Sequence, residues 1–412
     1  MIAKCKWFCG FLALVMLLVC FPSVLRTFQV PENSSSISIV KDTNDNVDQF
    51  DCDPSIIRES LVKLRGNFSL STGFRKAEKK FRCVESVTFC THGDASYLEN
   101  LAVLVMRWRG PVSLSVFASQ PFLKKTVSAI DWWRNCAATE EIRNEIRANV
   151  TFHLITNASL DELRSAIEEK AINDCLINSE AVAVKKDETV TFYPINIARN
   201  VATEEATTKY ILNADIELFP SVGFIRQFLN LISHRRNRRH EVFVLPIFEV
   251  AASVPAPSVK KELIDLYLRR KAVSFHKFIC EWCHRIPELD VWMLVSGASA
   301  VMEVFSVVKR RGSQRFWEPI YVATRREPVY DERLGWSGGS DKMMQMFELC
   351  AEDYNFNILS NAFLVHKPGI KRRMPDKRIA GASDNNSILV KALIREELLR
   401  KYGNDTGCEI VV

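Results

Sequence analysis

An apolar run, KYILNA, ends at two acidic residues that stand two positions apart, Asp215 and Glu217. The run has the length and composition of a buried strand, and open parallel sheets bind ligands at the carboxyl ends of their strands. Two carboxylates there can bind one hard cation, which keeps other positions for water or phosphate oxygens. An isolated pair of this kind also occurs in solvated turns. Because it directly follows a strand-like run, the pair predicts a Mg²⁺ or Mn²⁺ site. The ion held there can neutralise a leaving diphosphate.

A second set of polar side chains precedes that strand, in the segment YPINIARNVAT. Asn196, Arg199 and Asn200 stand near the start of a helix-like stretch. The guanidinium of Arg199 can donate two parallel hydrogen bonds to a phosphate or a carboxylate, and the amide of Asn200 can bind a base or a sugar edge. These three residues are therefore candidates for binding substrate. The alternative is a surface helix start in which Arg199 pairs with Glu204 or Glu205.

The elements that must position these residues begin near Cys83. Apolar runs of strand length alternate there with amphipathic stretches: SVTFCT, YLENLAVLVMRW, PVSLSVFA, TVSAIDWWRNCA and VTFHLIT. Ser159 and Glu162 form a capping box before one helical stripe, and strand-like runs recur at 210–214 and 241–248. This alternation predicts one α/β domain over residues 83–412, built on a doubly wound, mostly parallel sheet.

The composition is that of a folded chain with a small substrate. Of 412 residues 47% are hydrophobic and 25% charged, with only 15 Gly and 15 Pro, which excludes disordered and collagen-like chains. The 55 Lys and Arg against 49 Asp and Glu give a mild net charge of +6. We therefore expect no nucleic-acid partner, whereas an anionic small substrate is compatible.

The amino terminus predicts a membrane anchor. Residues 7–25 contain no charged side chain, follow Lys4 and Lys6, and just reach the length of a spanning helix. No good cleavage site follows, so we favour a retained anchor over a signal peptide. The leading lysines predict a cytoplasmic tail at 1–6, although Arg26 weakens that bias, and place the rest of the chain on the lumenal side. Polar residues 26–82 are interpreted as a lumenal stem.

Two features downstream of the anchor are typical of a lumenal chain. N-x-Ser/Thr acceptors occur there at Asn33, Asn67, Asn149, Asn157, Asn385 and Asn404. Nine of the 12 cysteines also lie beyond the anchor, where disulfides can form. Because nine is odd, at least one thiol should be free or paired between chains. Cys280 and Cys283, which have His276 and His284 close by, favour a disulfide over a zinc site because a second ligand pair is missing.

Several runs in one order resemble the glycosyltransferase family of β-1,4-glucuronyltransferase 1 and the glucuronyltransferase domain of LARGE. The resemblance covers roughly residues 84–402 and rests on VTFCTHGDASYLENLAVLVMRWRGPVSLSVFA, YPINIARNVA, YILNADIELFPS, VFVLPIFEV, KELIDLY, CEWC, WEPIYVA, YDERLGW and NAFLVHKPG. It implies a GT-A fold and a type II Golgi membrane enzyme with Mn²⁺ at an Asp-x-Asp motif. Glu217 departs from that motif by one methylene group.

The resemblance also implies the reaction. It implies an inverting transfer of glucuronic acid from a UDP donor to a terminal xylose of a glycoprotein O-glycan, in β-1,4 linkage. N-acetylglucosaminyl or xylosyl transfer on the same scaffold stays open, and so does a non-catalytic lumenal partner of a related transferase. Assembly as a homo-oligomer or with other Golgi transferases is also open.

The remaining site residues lie later in the chain. His366, in FLVHKPG, resembles the late histidine that completes the metal site in many GT-A enzymes. Inverting transfer also needs a carboxylate base. Asp341 resembles the acid after Trp-Gly-Gly in β-1,4-galactosyltransferases, although members of the glucuronyltransferase family have Asn there. Glu318 and Asp331 match that family better, but either can pair with a nearby arginine. Asp341 and Glu318 rank nearly level, and Trp317 is the aromatic residue expected against a sugar ring.

Overall fold

Two β-sheets organise the computed structural model, which describes residues 61–137, 139–168, 175, 193–235, 240–295, 301–335, 341–372 and 386–410. The strands in these ranges are β1 (Leu61–Arg65), β2 (Phe68–Arg75), β3 (Val87–Asp94), β4 (Val112–Ala118), β5 (Val150–Thr156), β6 (Tyr210–Asn213), β7 (Leu218–Pro220), β8 (Glu241–Leu245), β9 (Ile247–Val250), β10 (Ala272–Ser274), β11 (Val304–Val308), β12 (Ile320–Ala323), β13 (Asn355–Leu359) and β14 (Leu364–His366). The larger sheet has the order β1-β2-β5-β4-β3-β6-β12-β8-β13-β11, and the smaller has the order β10-β9-β14-β7.

The larger sheet is mixed and rich in parallel pairs. Its neighbours β5, β4, β3 and β6 are parallel, and β8 is parallel to β13. The other described neighbours in this sheet are antiparallel. The α/β class is therefore confirmed. The mostly parallel arrangement holds only at the centre, because β1 and β2 form a hairpin and β12 enters antiparallel between β6 and β8.

Helices cover both faces of this sheet. The α-helices in the described ranges are α1 (Leu101–Trp108), α2 (Leu123–Asn135), α3 (Glu140–Asn149), α4 (Leu160–Glu168), α5 (Ile195–Glu204), α6 (Phe224–Ser233), α7 (Lys260–Leu268), α8 (Glu281–His284), α9 (Leu289–Leu294), α10 (Met343–Ala351) and α11 (Arg395–Tyr402). Successive residues of β3, Phe89 and Cys90, belong to separate core clusters. Helices α1 to α4 pack in the cluster of Phe89, whereas α5 lies against β3 and β4 outside that cluster. The predicted doubly wound arrangement is thus present.

The predicted capping box opens α4. The Ser159 hydroxyl accepts a hydrogen bond from the Glu162 amide at 3.2 Å, and the Glu162 carboxylate accepts one from the Ser159 amide at 2.8 Å. Each side chain thereby satisfies an amide that has no partner within the helix. The prediction is confirmed.

The folded domain begins no later than Leu61, so the boundary predicted at Cys83 is wrong. Strands β1 and β2 form an antiparallel hairpin, and β2 also pairs with β5. Gly66 provides the turn with a φ of +56°. Leu70, in FSLSTGF, is buried against the sheet. The neighbouring small polar residues give this run little of the apolar composition that is typical of a buried strand. Only residues 26–60 of the predicted stem, which lie outside the described residues, are still unassigned.

Disulfides tie together three described pairs of cysteines: Cys136 and Cys175, Cys280 and Cys283, and Cys350 and Cys408. The prediction of a disulfide at Cys280 and Cys283 is confirmed. Cys90 is free and buried, in agreement with the odd count of cysteines. No helix within the described ranges is long and apolar enough to span a membrane, and the predicted tail at 1–6 and anchor at 7–25 lie outside those ranges.

Candidate active site

One edge of the larger sheet gathers the site. Strands β3 and β6 are parallel neighbours, so their carboxyl ends meet and bring His92 next to Asp215. Strand β12 is antiparallel to β6, which places its amino end, just after Glu318, at the same edge. A small cavity there is lined by side chains that include His92, Arg199, Asp215, Tyr330 and Lys342. The sheet topology therefore brings His92 and Asp215 together, and a helix supplies Arg199.

Asp215 is the centre of this group. One of its carboxylate oxygens lies 3.4 Å from Nε2 of His92 and 3.8 Å from a guanidinium nitrogen of Arg199. Burial by itself would raise the pKa of Asp215, but Lys342, His92 and Arg199 outweigh that effect and hold it well below its ordinary value. Asp215 is therefore an anion, the state in which a carboxylate can bind a cation.

Arg199 links Asp215 to Asp341. Its guanidinium is buried, 5% exposed, and donates to the Asp341 carboxylate at 2.5 Å and to the Asn196 side-chain oxygen at 3.0 Å. Burial would raise the pKa of Asp341, but Arg199 and Lys342 lower it below its ordinary value. Asp341 is thus held as a carboxylate in an ion pair.

The two predicted asparagines position the chain around Arg199. Their side chains lie on one face of α5 with Arg199, since positions 196, 199 and 200 are three and four residues apart. The Asn196 amide donates to the carbonyls of Asp331 and Asp341 at 2.8 and 2.9 Å. The Asn200 amide donates to the Tyr330 carbonyl at 2.8 Å and accepts from the Tyr330 amide at 3.0 Å. Protein groups occupy both amides and hold the chain around Arg199, and the substrate contact of Asn196 and Asn200 stays a prediction.

Glu217 and His366 form a second pair beside the first. Strands β7 and β14 are antiparallel and bring a Glu217 carboxylate oxygen to 3.7 Å from Nε2 of His366. Nδ1 of His366 lies 2.7 Å from the Lys367 carbonyl, which can only accept, so Nδ1 carries the proton. Nε2 is buried and has no hydrogen-bond partner among the residues that the structure describes. Burial would raise the pKa of Glu217, yet His366 lowers it overall.

These groups fit a divalent cation in their chemistry. A histidine that donates a hydrogen bond to a carbonyl from one ring nitrogen keeps a lone pair on the other nitrogen. This is the tautomer that metal ligation requires. Two carboxylates and one imidazole suit Mn²⁺. Among the described residues, however, no three acidic, histidine or cysteine side chains are close enough together to enclose an ion. A bound ion would take further ligands from substrate phosphates, as Mg²⁺ commonly does.

Glu318 and Asp341 differ in their surroundings. Burial raises the pKa of Glu318 above its ordinary value, and its carboxylate accepts no hydrogen bond from the residues that the structure describes. Its backbone is fixed, because its amide donates to the Cys283 carbonyl at 2.6 Å and its carbonyl accepts from Nδ1 of His284 at 2.9 Å. Glu318 therefore has the features of a general base. The third acid considered, Asp331, pairs with Arg333 at 2.7 Å.

Trp317 does not have the predicted role. Its side chain is 0% exposed and packs against Phe356, with ring centroids 5.7 Å apart. No face of the indole ring is open to a sugar. Adjacency to Glu318 in sequence placed it at the edge of the site, but the start of β12 directs the tryptophan into the core.

The site residues that were not predicted include His92, Tyr193 and Lys342, as well as Tyr330 in the cavity lining. His92 follows the apolar part of β3, and a polar residue at the carboxyl end of a parallel strand was the signal for it. Tyr193 lies 3.0 Å from Nδ1 of His92 through its hydroxyl group. Lys342 makes no hydrogen bond or ion pair through its ammonium group within the described ranges, although it lines the cavity. Its ammonium group is thus available to bind an anionic ligand.

Curated relatives of this chain are glucuronyltransferases. β-1,4-Glucuronyltransferase 1 of Mus musculus is 29% identical over 331 residues, which are 77% of this chain and 76% of the relative. The Danio rerio protein of the same name is 28% identical over 329 residues, 77% of this chain and 74% of the relative. The Xylosyl- and glucuronyltransferase LARGE2s of Gallus gallus is 24% identical over 77% of this chain and 36% of its own length.

A solved structure of GalNAc-T7 with UDP, GalNAc and Mn²⁺ is a distant structural match. It has 10% sequence identity and a TM-score of 0.37, with 79% of this chain and 55% of that chain covered.

A family profile matches most of the chain. The profile described as "Glycosyl-transferase for dystroglycan" covers residues 86–403, which include β3, the acid pair, Glu318 and His366. Together with the named relatives, this match shows that the chain is a glycosyltransferase. It belongs to the family of glycosyltransferases for dystroglycan, and within it is related to the glucuronyltransferases.

Proposed function

We propose that the chain transfers glucuronic acid from UDP-glucuronate to a terminal xylose of a glycoprotein O-glycan, in β-1,4 linkage and with inversion. The names of its relatives support the sugar and the linkage. The observation that supports the proposal is a pair of carboxylates two residues apart, each with a histidine beside it: Asp215 lies 3.4 Å from Nε2 of His92, and Glu217 lies 3.7 Å from Nε2 of His366. Such groups can hold a divalent cation, and we propose Mn²⁺.

The chain's own residues account for the chemistry as follows. The Glu318 carboxylate takes the proton of the acceptor hydroxyl, and the hydroxyl oxygen bonds to C1 of the donor sugar. The bond between C1 and the diphosphate oxygen breaks, and its electron pair leaves with UDP. A cation held by Asp215, Glu217 and His366 would supply charge stabilisation to that diphosphate. The Asp341 ion pair keeps Arg199 aligned beside Asp215 throughout.

The donor carboxylate needs a cationic partner, since a buried unpaired charge is strongly disfavoured. Arg199 was a candidate for that role. It already lies between Asp215 and Asp341, whose two negative charges exceed its own. Lys342 lines the same cavity without an ion pair within the described part of the chain. We therefore assign the donor carboxylate to Lys342.

A matched pair of donors tests this assignment. UDP-xylose has the ring of UDP-glucuronate without its carboxylate, and UDP-N-acetylglucosamine represents the remaining alternative. The full chain should use UDP-glucuronate best. Lys342→Met should reduce kcat/KM for UDP-glucuronate relative to UDP-xylose, whereas Lys342→Arg should keep much of the preference. Turnover with UDP-N-acetylglucosamine and none with UDP-glucuronate would reject the glucuronyl proposal. An equal loss for both donors in Lys342→Met would assign this residue to the diphosphate.

We also propose a Golgi location, with a single-pass amino-terminal anchor and the catalytic domain in the lumen. The charge-free run at 7–25 and the disulfides support this location. Of the acceptor asparagines, Asn67, Asn157 and Asn404 are exposed, whereas Asn149 is buried and donates to Glu145 at 2.8 Å. In sealed vesicles the chain should resist protease and be sensitive to endoglycosidase. A secreted chain that begins after residue 25 would contradict the anchor.

A further inference from the structure

The segment 275–284 contacts two residues of the site, His366 and Glu318, and one residue that follows β14, Arg372. The rings of Phe275 and His366 lie 5.7 Å apart. The guanidinium of Arg372, shortly after β14, lies 5.2 Å from the centre of the Phe278 ring. At its other end the segment holds the backbone of Glu318 through Cys283 and His284. The segment therefore joins the histidine of the metal pair to the residue assigned as base.

A disulfide closes this segment and leaves one large aromatic residue outside. Cys280 and Cys283 are bonded, with their Cα atoms 5.5 Å apart. Trp282, between them, is 70% exposed, although Phe275 at the start of the segment is buried. The Phe278 and Ile279 side chains beside it are also partly exposed, at 47% and 41%. The result is a small apolar surface on a covalently restrained loop.

A ligand that covers this apolar surface would gain binding free energy from its burial. An aromatic side chain gains free energy when it is buried, and the indole ring of Trp282, 70% exposed, forgoes most of that gain. The Cα atoms of Trp282 and Glu318 are no more than roughly 10 Å apart, because only the Cys283 residue and its hydrogen bond separate them. The backbone of Trp282 is therefore close to that of the proposed base, which must contact the acceptor.

We propose that Trp282 is the platform for the acceptor glycan, against which a pyranose ring stacks through its apolar C–H face. The disulfide fixes the platform, and the hydrogen bonds of Cys283 and His284 fix Glu318 relative to it. Stacking on Trp282 thus sets the distance between the acceptor hydroxyl and the base. The platform rests on the proposed glycosyl transfer for the nature of its ligand, but not on which sugar is donated.

The test compares three variants of the full chain with whichever UDP-sugar supports turnover. Trp282→Ala should raise the KM for a β-xyloside acceptor about tenfold, and Trp282→Phe should restore much of it. Leu268→Ala, at a 75% exposed position on α7, is the matched control and should leave the acceptor KM unchanged. Hydrolysis of the donor without acceptor and the affinity for UDP should be the same in all variants.

The outcomes separate the platform from the proposed function. An unchanged acceptor KM in Trp282→Ala overturns the platform while the transferase proposal stands. A chain that turns over no UDP-sugar overturns the proposed function, and the platform is then tested by quenching of tryptophan fluorescence on titration with the β-xyloside. Saturable quenching that Trp282→Phe reduces supports the platform, and no quenching overturns it.

Discussion

The guanidinium of Arg199 lies 2.5 Å from a carboxylate oxygen of Asp341, so this acid is neutralised inside the site. This ion pair distinguishes Asp341 from Glu318, the other acid predicted as a candidate base. Arg199 lowers the pKa of Asp341, whereas burial raises the pKa of Glu318, whose carboxylate has no partner among the described residues. A base must be able to accept a proton near the working pH, which favours Glu318.

The pH dependence of the reaction distinguishes these two acids. A general base acts in its deprotonated form, so kcat/KM falls as the pH drops through its pKa. With Glu318 as base, the acid limb should lie above about pH 4.3, the ordinary value for glutamate. Glu318→Gln should lower kcat by about 10²- to 10⁴-fold and leave the affinity for UDP unchanged. An acid limb below about pH 3.9, with activity retained in Glu318→Gln, would assign the base to Asp341.

Removal of Arg199 should destabilise the fold as well as impair catalysis. Arg199→Ala leaves Asp215 and Asp341 facing each other without the guanidinium between them. Loss of one partner from a buried ion pair costs about 3–5 kcal/mol, because an uncompensated charge stays behind. The melting temperature should fall clearly in Arg199→Ala and less in Arg199→Lys, which keeps the charge but not the planar fork. Equal melting temperatures for wild type and Arg199→Ala would show that the ion pair does not stabilise the domain.

The metal pair makes a separate prediction. His366→Ala removes the free Nε2 and should raise the half-saturating Mn²⁺ concentration by about tenfold or more. Glu217→Asp should retain or improve activity, because it restores the acid that the family motif contains. The measurement is initial rate against Mn²⁺ concentration at saturating donor. If His366→Ala keeps the wild-type curve, His366 is not a ligand.

The disulfide at Cys280 and Cys283 should matter for rate rather than for donor binding. Its loop accepts the Glu318 amide hydrogen bond at 2.6 Å and so fixes the base. Cys280→Ser/Cys283→Ser should lower kcat, while the affinity for UDP should not change. The control is Cys136→Ser/Cys175→Ser, which opens a disulfide remote from Glu318 and should not lower kcat in the folded protein. Equal kcat values for the two double variants would show that the disulfide between Cys280 and Cys283 does not position Glu318.

Local sequence patterns predict part of the candidate site. The apolar run before Asp215 predicted its position at the end of a strand, and the spacing of Asn196, Arg199 and Asn200 placed them on one helix face. The ion pair of Arg199 with Asp341 joins residues 142 positions apart, a contact that local periodicity does not determine. His92 was missed for the same reason, since its importance comes from the pairing of β3 with β6. Trp317 was misplaced because adjacency in sequence does not tell which side chain faces the core.

The most direct test of the central claim is transfer of glucuronic acid from UDP-glucuronate to a β-xyloside by the full chain in Mn²⁺. The wild type should show turnover that excess EDTA abolishes. Asp215→Asn should lower the rate by at least about 100-fold with the fold intact by circular dichroism, because loss of the cation removes several kcal/mol of charge stabilisation. Full activity in EDTA, or in Asp215→Asn, would contradict the account.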